Sequence, residues 1–81
     1  MADFHDRFTE NAPGEYYVDR TCVHCKLCMS IAPDHFTQEG YAGFVFRQPT
    51  RADEYSLCVE AKENCPVSAI GDDGLRMATA E

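Results

Sequence analysis

The sequence predicts a small α+β domain in which short antiparallel strands and two helices gather around a metal centre. Three observations lead there. The chain has 81 residues, it carries five cysteines of which three fall within one seven-residue run, and its aromatic and β-branched stretches are short and separated by turn residues and one well-marked helical segment. A chain of this size buries too little apolar surface for a core alone to stabilise it strongly, and a metal centre commonly supplements it.

The elements follow in order. Residues 1–14 are a polar lead-in closed by Asn11, Pro13 and Gly14, expected as a tail or surface wrap without chemistry. Tyr16, Tyr17 and Val18 read as a first strand, and Asp19 to Thr21 turn the chain into the cysteine run. A short helical turn is expected around Met29 to Ala32. From Phe36 to Phe46, Gly40 and Gly43 stand between aromatic groups, which predicts a small irregular hairpin. The main helix is expected over residues 51–64, with Thr50 as N-cap, Asp53 three residues later in a capping-box position and Glu54 beside it. Tyr55, Cys58, Ala61 and Cys65 recur at helical spacing and define its inward face, and Pro66 ends it. Ser68 to Ile70, the turn at residues 71–74 and Leu75 to Met77 predict a closing extended segment against Tyr16 to Val18. The single domain is thus expected over residues 15–78, with 79–81 as a C-terminal tail.

Charge and cysteine usage narrow the function. Acidic residues outnumber basic ones 14 to 7, a net charge of −7 that disfavours nucleic acid and anionic membrane surfaces and favours basic protein partners. No apolar run is long enough to span a membrane, and the N-terminal ten residues are polar and acidic instead of basic and then apolar, so a cytoplasmic location is expected. In a reducing compartment a high cysteine density points to metal or redox chemistry instead of disulfides, and the odd count leaves one thiol outside any complete pairing.

Cys22, Cys25 and Cys28 form a Cys-x2-Cys-x2-Cys run, a spacing that wraps the backbone so that three thiolates converge on three irons of a cubane. Cys65, followed by Pro66, supplies the fourth ligand from a distant point. With these residues the chain resembles a bacterial-type single-cluster 4Fe-4S ferredoxin over roughly residues 16–75. The resemblance implies a compact sandwich of short strands and two helices around one cluster. It also shows how a second cluster is missing. The position after the triple that would complete that cluster is Ala32, followed by Pro33, and the register counted back from Cys65 gives Tyr55, Cys58 and Ala61, only one of them a cysteine. Many relatives carry glycine inside the triple, where this chain has His24, Lys26 and Leu27.

The reading is therefore a one-electron carrier, not an enzyme, with one 4Fe-4S cluster on Cys22, Cys25, Cys28 and Cys65. It is expected to be a monomer that serves redox proteins with basic docking surfaces, without nucleic acid or membrane partners. Cys58 lies seven residues before Cys65, about 10.5 Å along a helix on nearly the same face, and is expected as a buried free thiol, with donation to a cluster sulfide, or replacement of a ligand when oxidation disturbs the cluster, as the sharper alternative. Tyr16, Tyr17, Phe36, Tyr41, Phe44 and Phe46 are expected to build the core and cover the cluster. Glu39, Asp53, Glu54, Glu60, Glu63, Asp72 and Asp73 are the candidate docking acids, and His24 is expected to face solvent. Two other readings stay open at this level: a structural zinc module and a subunit of an enzyme whose catalytic part is a separate chain.

Overall fold

The computed structural model describes residues 2–22, 27–40 and 42–80. After a 3-10 turn at Phe4–Asp6 the chain forms β1 (Tyr17–Val18), α1 (Leu27–Ile31), β2 (Phe36–Glu39), β3 (Ala42–Val45), α2 (Ala52–Asn64), β4 (Ile70–Gly71) and α3 (Gly74–Ala80). Two antiparallel strand pairs, β1 with β4 and β2 with β3, pack with helices α1 and α2, so the α+β class expected from the sequence is the one observed. Among the described residues no helix is long and apolar enough to cross a membrane.

Each strand pair has a simple steric logic. In the first, Tyr17 stands opposite Gly71 and Val18 opposite Ile70. Residue 71 must be glycine because a Cβ there would enter the Tyr17 ring. That ring also meets Phe4 edge-on at 5.6 Å, and its hydroxyl donates to Asp73 Oδ1 at 2.6 Å. Burial, and then this bond to a carboxylate, push the Tyr17 phenol well above its ordinary pKa. In the second pair Phe36 faces Val45 and Glu39 faces Ala42, a regular ladder with a two-residue connection. Gly40 opens that connection at φ +58°, the left-handed conformation that glycine adopts without penalty.

The two strand pairs are joined by side-chain amides. Asn11 Oδ1 accepts the Val18 and Val45 N–H groups, each at 3.0 Å, while its Nδ2 donates to the carbonyls of Phe8 and Val18 at 2.7 and 2.9 Å. Gln48 Oε1 accepts the Tyr16 N–H, and its Nε2 donates to the carbonyls of Ala12 and Tyr16. Two amide side chains thus complete the edge of β1 and link it to β3 where no backbone ladder does, which satisfies groups that would be costly to bury unpaired. The polar segment before residue 15 is drawn along β1 by the same bonds, together with the Arg7–Asp19 bridge and the Phe8 N–H to Val18 carbonyl bond. Val18, Phe36, Val45, Cys58, Ala61 and Ile70 form the centre of the core, and Cys22, Cys28 and Cys65 pack half-buried against it.

Three local expectations are corrected. Leu75 to Met77 are helical, because Ile70 and Gly71 already pair with β1, and Leu, Arg, Met and Ala after Gly74 are strong helix formers. Helix α2 is capped at Arg51 instead of Thr50, and Glu54 takes the role expected of Asp53. Its Oε1 accepts from Thr50 N–H at 2.9 Å, Thr50 Oγ1 at 3.1 Å and Arg51 N–H at 3.3 Å. These bonds, the Thr50 backbone N–H first, lower the Glu54 carboxyl to about 2. Tyr55 and Phe46 are exposed, not part of the core, although the Tyr55 ring still leans on Tyr16 at 6.2 Å. His35 is buried, with Nδ1 against the Arg47 carbonyl at 2.8 Å.

The amide stitching predicts that Asn11→Ala lowers the melting temperature by about 10 °C, since it strands several backbone groups at once. Far-UV circular dichroism melts of the cluster-loaded protein check this, and an unchanged melt would mean that water replaces the amide without loss.

Candidate metal centre

Cys22 leaves β1 four residues after Val18, and Cys65 precedes Ile70 by five, so the β1–β4 pairing brings both to one side of the molecule. Cys28 joins them from α1. All three line one cavity, which encloses about 20 Å³ and opens to solvent. Cys25 and His24 lie outside the described residues, and Cys22 and Leu27, which flank residues 23–26 in the sequence, both line the cavity. Among the described residues no three Cys, His, Asp or Glu side chains converge closely enough to share one metal ion. The three thiols surround a volume instead of meeting at a point.

The walls are mostly apolar, with Thr37 and Gln38 of β2 as the polar members. Val18 and Ile70 form the floor of the β1–β4 pair, Met29 comes from α1 and Ala61 from α2. Leu27 and Val67 line the cavity and are also exposed, at 44% and 36%, so its mouth has an apolar rim. The aromatic cover expected from the sequence is absent from these described walls. Tyr16, Tyr17, Phe36 and Phe44 are buried elsewhere in the core, and Tyr41 is outside the described residues. What sequence reasoning missed is the aliphatic lining, together with two backbone features. The Ala69 N–H donates to Cys65 Sγ at 3.2 Å, a bond that favours negative charge on that sulfur. Gly43 of β3 lines the cavity, and a Cβ there would stand 3.3 Å from Cys22 Sγ, so the missing side chain leaves room beside the thiol. The spacing Cys-Pro-Val-Ser-Ala carried a signal for the first feature, and the glycine inside a strand carried one for the second.

A thiol-lined, apolar and partly enclosed space with a backbone donor aimed at one sulfur fits an iron-sulfur cluster, whose sulfurs need donors when water is largely excluded. Cys58 stands apart. It is fully buried in the core, free of any disulfide and absent from the cavity lining. Burial first, then the nearby Glu54 and Glu15 charges, push its thiol up to about 11.

The candidate docking acids are mostly compensated. Asp53 pairs with Arg51, Glu54 with Arg47 at 2.7 Å, Asp72 with Lys62 at 3.1 Å and Asp73 with Arg76. Among the described residues Glu39, Glu60 and Glu63 form no ion pair.

Comparison with known proteins agrees with this geometry. The family described as the 4Fe-4S single cluster domain of Ferredoxin I matches residues 18–72, about two thirds of the chain. No curated protein and no solved structure gives a significant match.

The raised Cys58 thiol predicts slow alkylation. At pH 8 about one thiol in a thousand is ionised when the pKa is near 11, so iodoacetamide should leave Cys58 unmodified in the folded protein and modify it on denaturation. Peptide mapping reads the outcome, and equal labelling in the two states would show that the residue is accessible.

Proposed function

We propose that this chain, which belongs to the family of single-cluster 4Fe-4S ferredoxin domains, is a one-electron carrier whose cluster is held by Cys22, Cys25, Cys28 and Cys65. The observation that carries the reading is the cavity lined by cysteines from two distant segments, Cys22 and Cys28 from one and Cys65 from the other. When bound, the cluster supplies a centre that takes up and returns one electron. The protein's own part is to bind it and to set its surroundings. Val18, Met29 and Ile70 keep water from the interior side, and Ala69 N–H offsets charge on Cys65 Sγ. With four irons on four cysteines no coordination position is open to a substrate, which supports a carrier over an enzyme. One cysteine, Cys58, then remains, too few for a second cluster.

The proposed partners are redox proteins with basic docking surfaces, met by a monomer in the cytoplasm. The mouth of the cavity gives the path for electrons, because Leu27 and Val67 there are accessible from outside. The acids without ion pairs, Glu39, Glu60 and Glu63, are assigned to steering.

Iron and acid-labile sulfide analysis with EPR before and after reduction tests the reading. Four irons and four sulfides per chain are expected, and zinc without sulfide would overturn it. Cys65→Ala should lose the four-iron centre and, because binding is coupled to folding, loosen the domain. A full iron content with an unchanged melt in that variant would exclude Cys65 as a ligand.

Steering by an acidic surface is screened over about 8 to 10 Å at ordinary ionic strength. The second-order rate of reduction by a basic partner should therefore fall as salt rises, and Glu60→Gln should flatten the dependence more than Asp53→Asn. A rate that is flat or rising across a salt series counts against acidic docking.

A further inference from the structure

We propose that Asp19 is the positioning residue of the metal centre, tying the Cys22 segment, the Cys65 turn and the N-terminal segment into one hydrogen-bonded unit. The inference rests on the reading of Cys22 and Cys65 as cluster ligands. Asp19 is 1% exposed, and among the described residues it forms no ion pair. A bare buried carboxylate is expensive, and here three donors compensate it. Its oxygens accept the Asp3 N–H at 2.8 Å, the Thr21 N–H at 3.0 Å and the Thr21 hydroxyl at 2.5 Å.

The backbone of the same residue reaches both ligand segments. Cys22 N–H donates to the Asp19 carbonyl at 3.3 Å, Asp19 N–H donates to the Ala69 carbonyl at 2.8 Å, and Ala69 N–H donates to Cys65 Sγ at 3.2 Å. A continuous run of hydrogen bonds therefore leads from one proposed ligand to the other through this single residue. The carboxylate holds that run in place by fixing the turn at Thr21 and by clamping the chain near Asp3 over it. Two consequences follow. Losing the carboxylate loosens the turn that leads into Cys22, and losing a buried negative charge three residues from that ligand makes an added electron easier to accept, so the reduction potential rises.

Three variants of the cluster-loaded protein separate these effects. Asp19→Asn removes the charge and turns a donor toward the donors. Thr21→Val removes one bond and keeps the charge. Asp53→Asn removes a charge at an exposed site and serves as the control. Cluster loss to an iron chelator, followed by absorbance, should be about tenfold faster in Asp19→Asn and about threefold faster in Thr21→Val. Voltammetry should show a potential raised in Asp19→Asn beyond that of Asp53→Asn, with Thr21→Val close to wild type. An Asp19→Asn protein that matches Asp53→Asn in both readings overturns the inference. If Asp19→Asn does not assemble, Thr21→Val decides: faster loss supports the role and wild-type loss overturns it. A wild-type chain without four irons would overturn the ligand reading and this inference with it, whereas four irons in wild type with indistinguishable variants overturns this inference alone.

Discussion

The pairing of Val18 with Ile70 is the contact on which the rest of the molecule depends. Both strands are two residues long, so the pair cannot persist on ladder bonds alone. It persists because Val18 and Ile70 are buried together and because the Asn11 side chain takes the Val18 groups that β4 leaves unpaired. Its register sets the distance from Cys22 to Cys65. A slip by one residue would send Val18 to the opposite face and remove the floor of the cavity along with the core.

Around that contact the protein divides its polar groups into two populations. Inside, each one has a named partner: Asn11 and Gln48 serve backbone amides, His35 serves a carbonyl, and Asp19 serves three donors. Among the described residues no buried side-chain nitrogen or oxygen is left without a partner. Outside, five acids among the described residues are paired locally with arginine or lysine, so the net charge of −7 is concentrated on fewer carboxylates than composition suggests. Uneven compensation of this kind is what turns a merely soluble acidic surface into one with direction.

Much of this was legible before any coordinates, and what was hidden shares a cause. The cysteine run and the Cys-Pro could be read because their chemistry is encoded in local spacing. The fold class could be read from short β-branched and aromatic stretches beside a helix with a clear start and stop. Asn11 and Gln48 could not, since an amide that substitutes for a neighbouring strand has no sequence pattern of its own. The aliphatic wall was hidden because Val67, Ala69 and Ile70 gain meaning only from the β1–β4 register. Leu75 to Met77 were misread because the Gly-Asp-Asp-Gly turn promised a return strand, while the partner edge was already taken by the residues before the turn. Glu54 displaced Asp53 at the helix start because the cap itself moved by one residue.

The cavity is assembled from segments far apart in the sequence, and this has a bearing on biosynthesis. Val18 and Cys22 emerge from the ribosome about 45 residues before Val67, Ala69 and Ile70, which close the walls. Long-range closure of this kind is slow compared with local helix formation. At about 5 to 20 residues per second, the interval between the two events is several seconds, during which the early thiols are present without their enclosure. The early thiols of a nascent chain are thus exposed to adventitious metals and oxidants until the segment at residues 67–70 has emerged and paired.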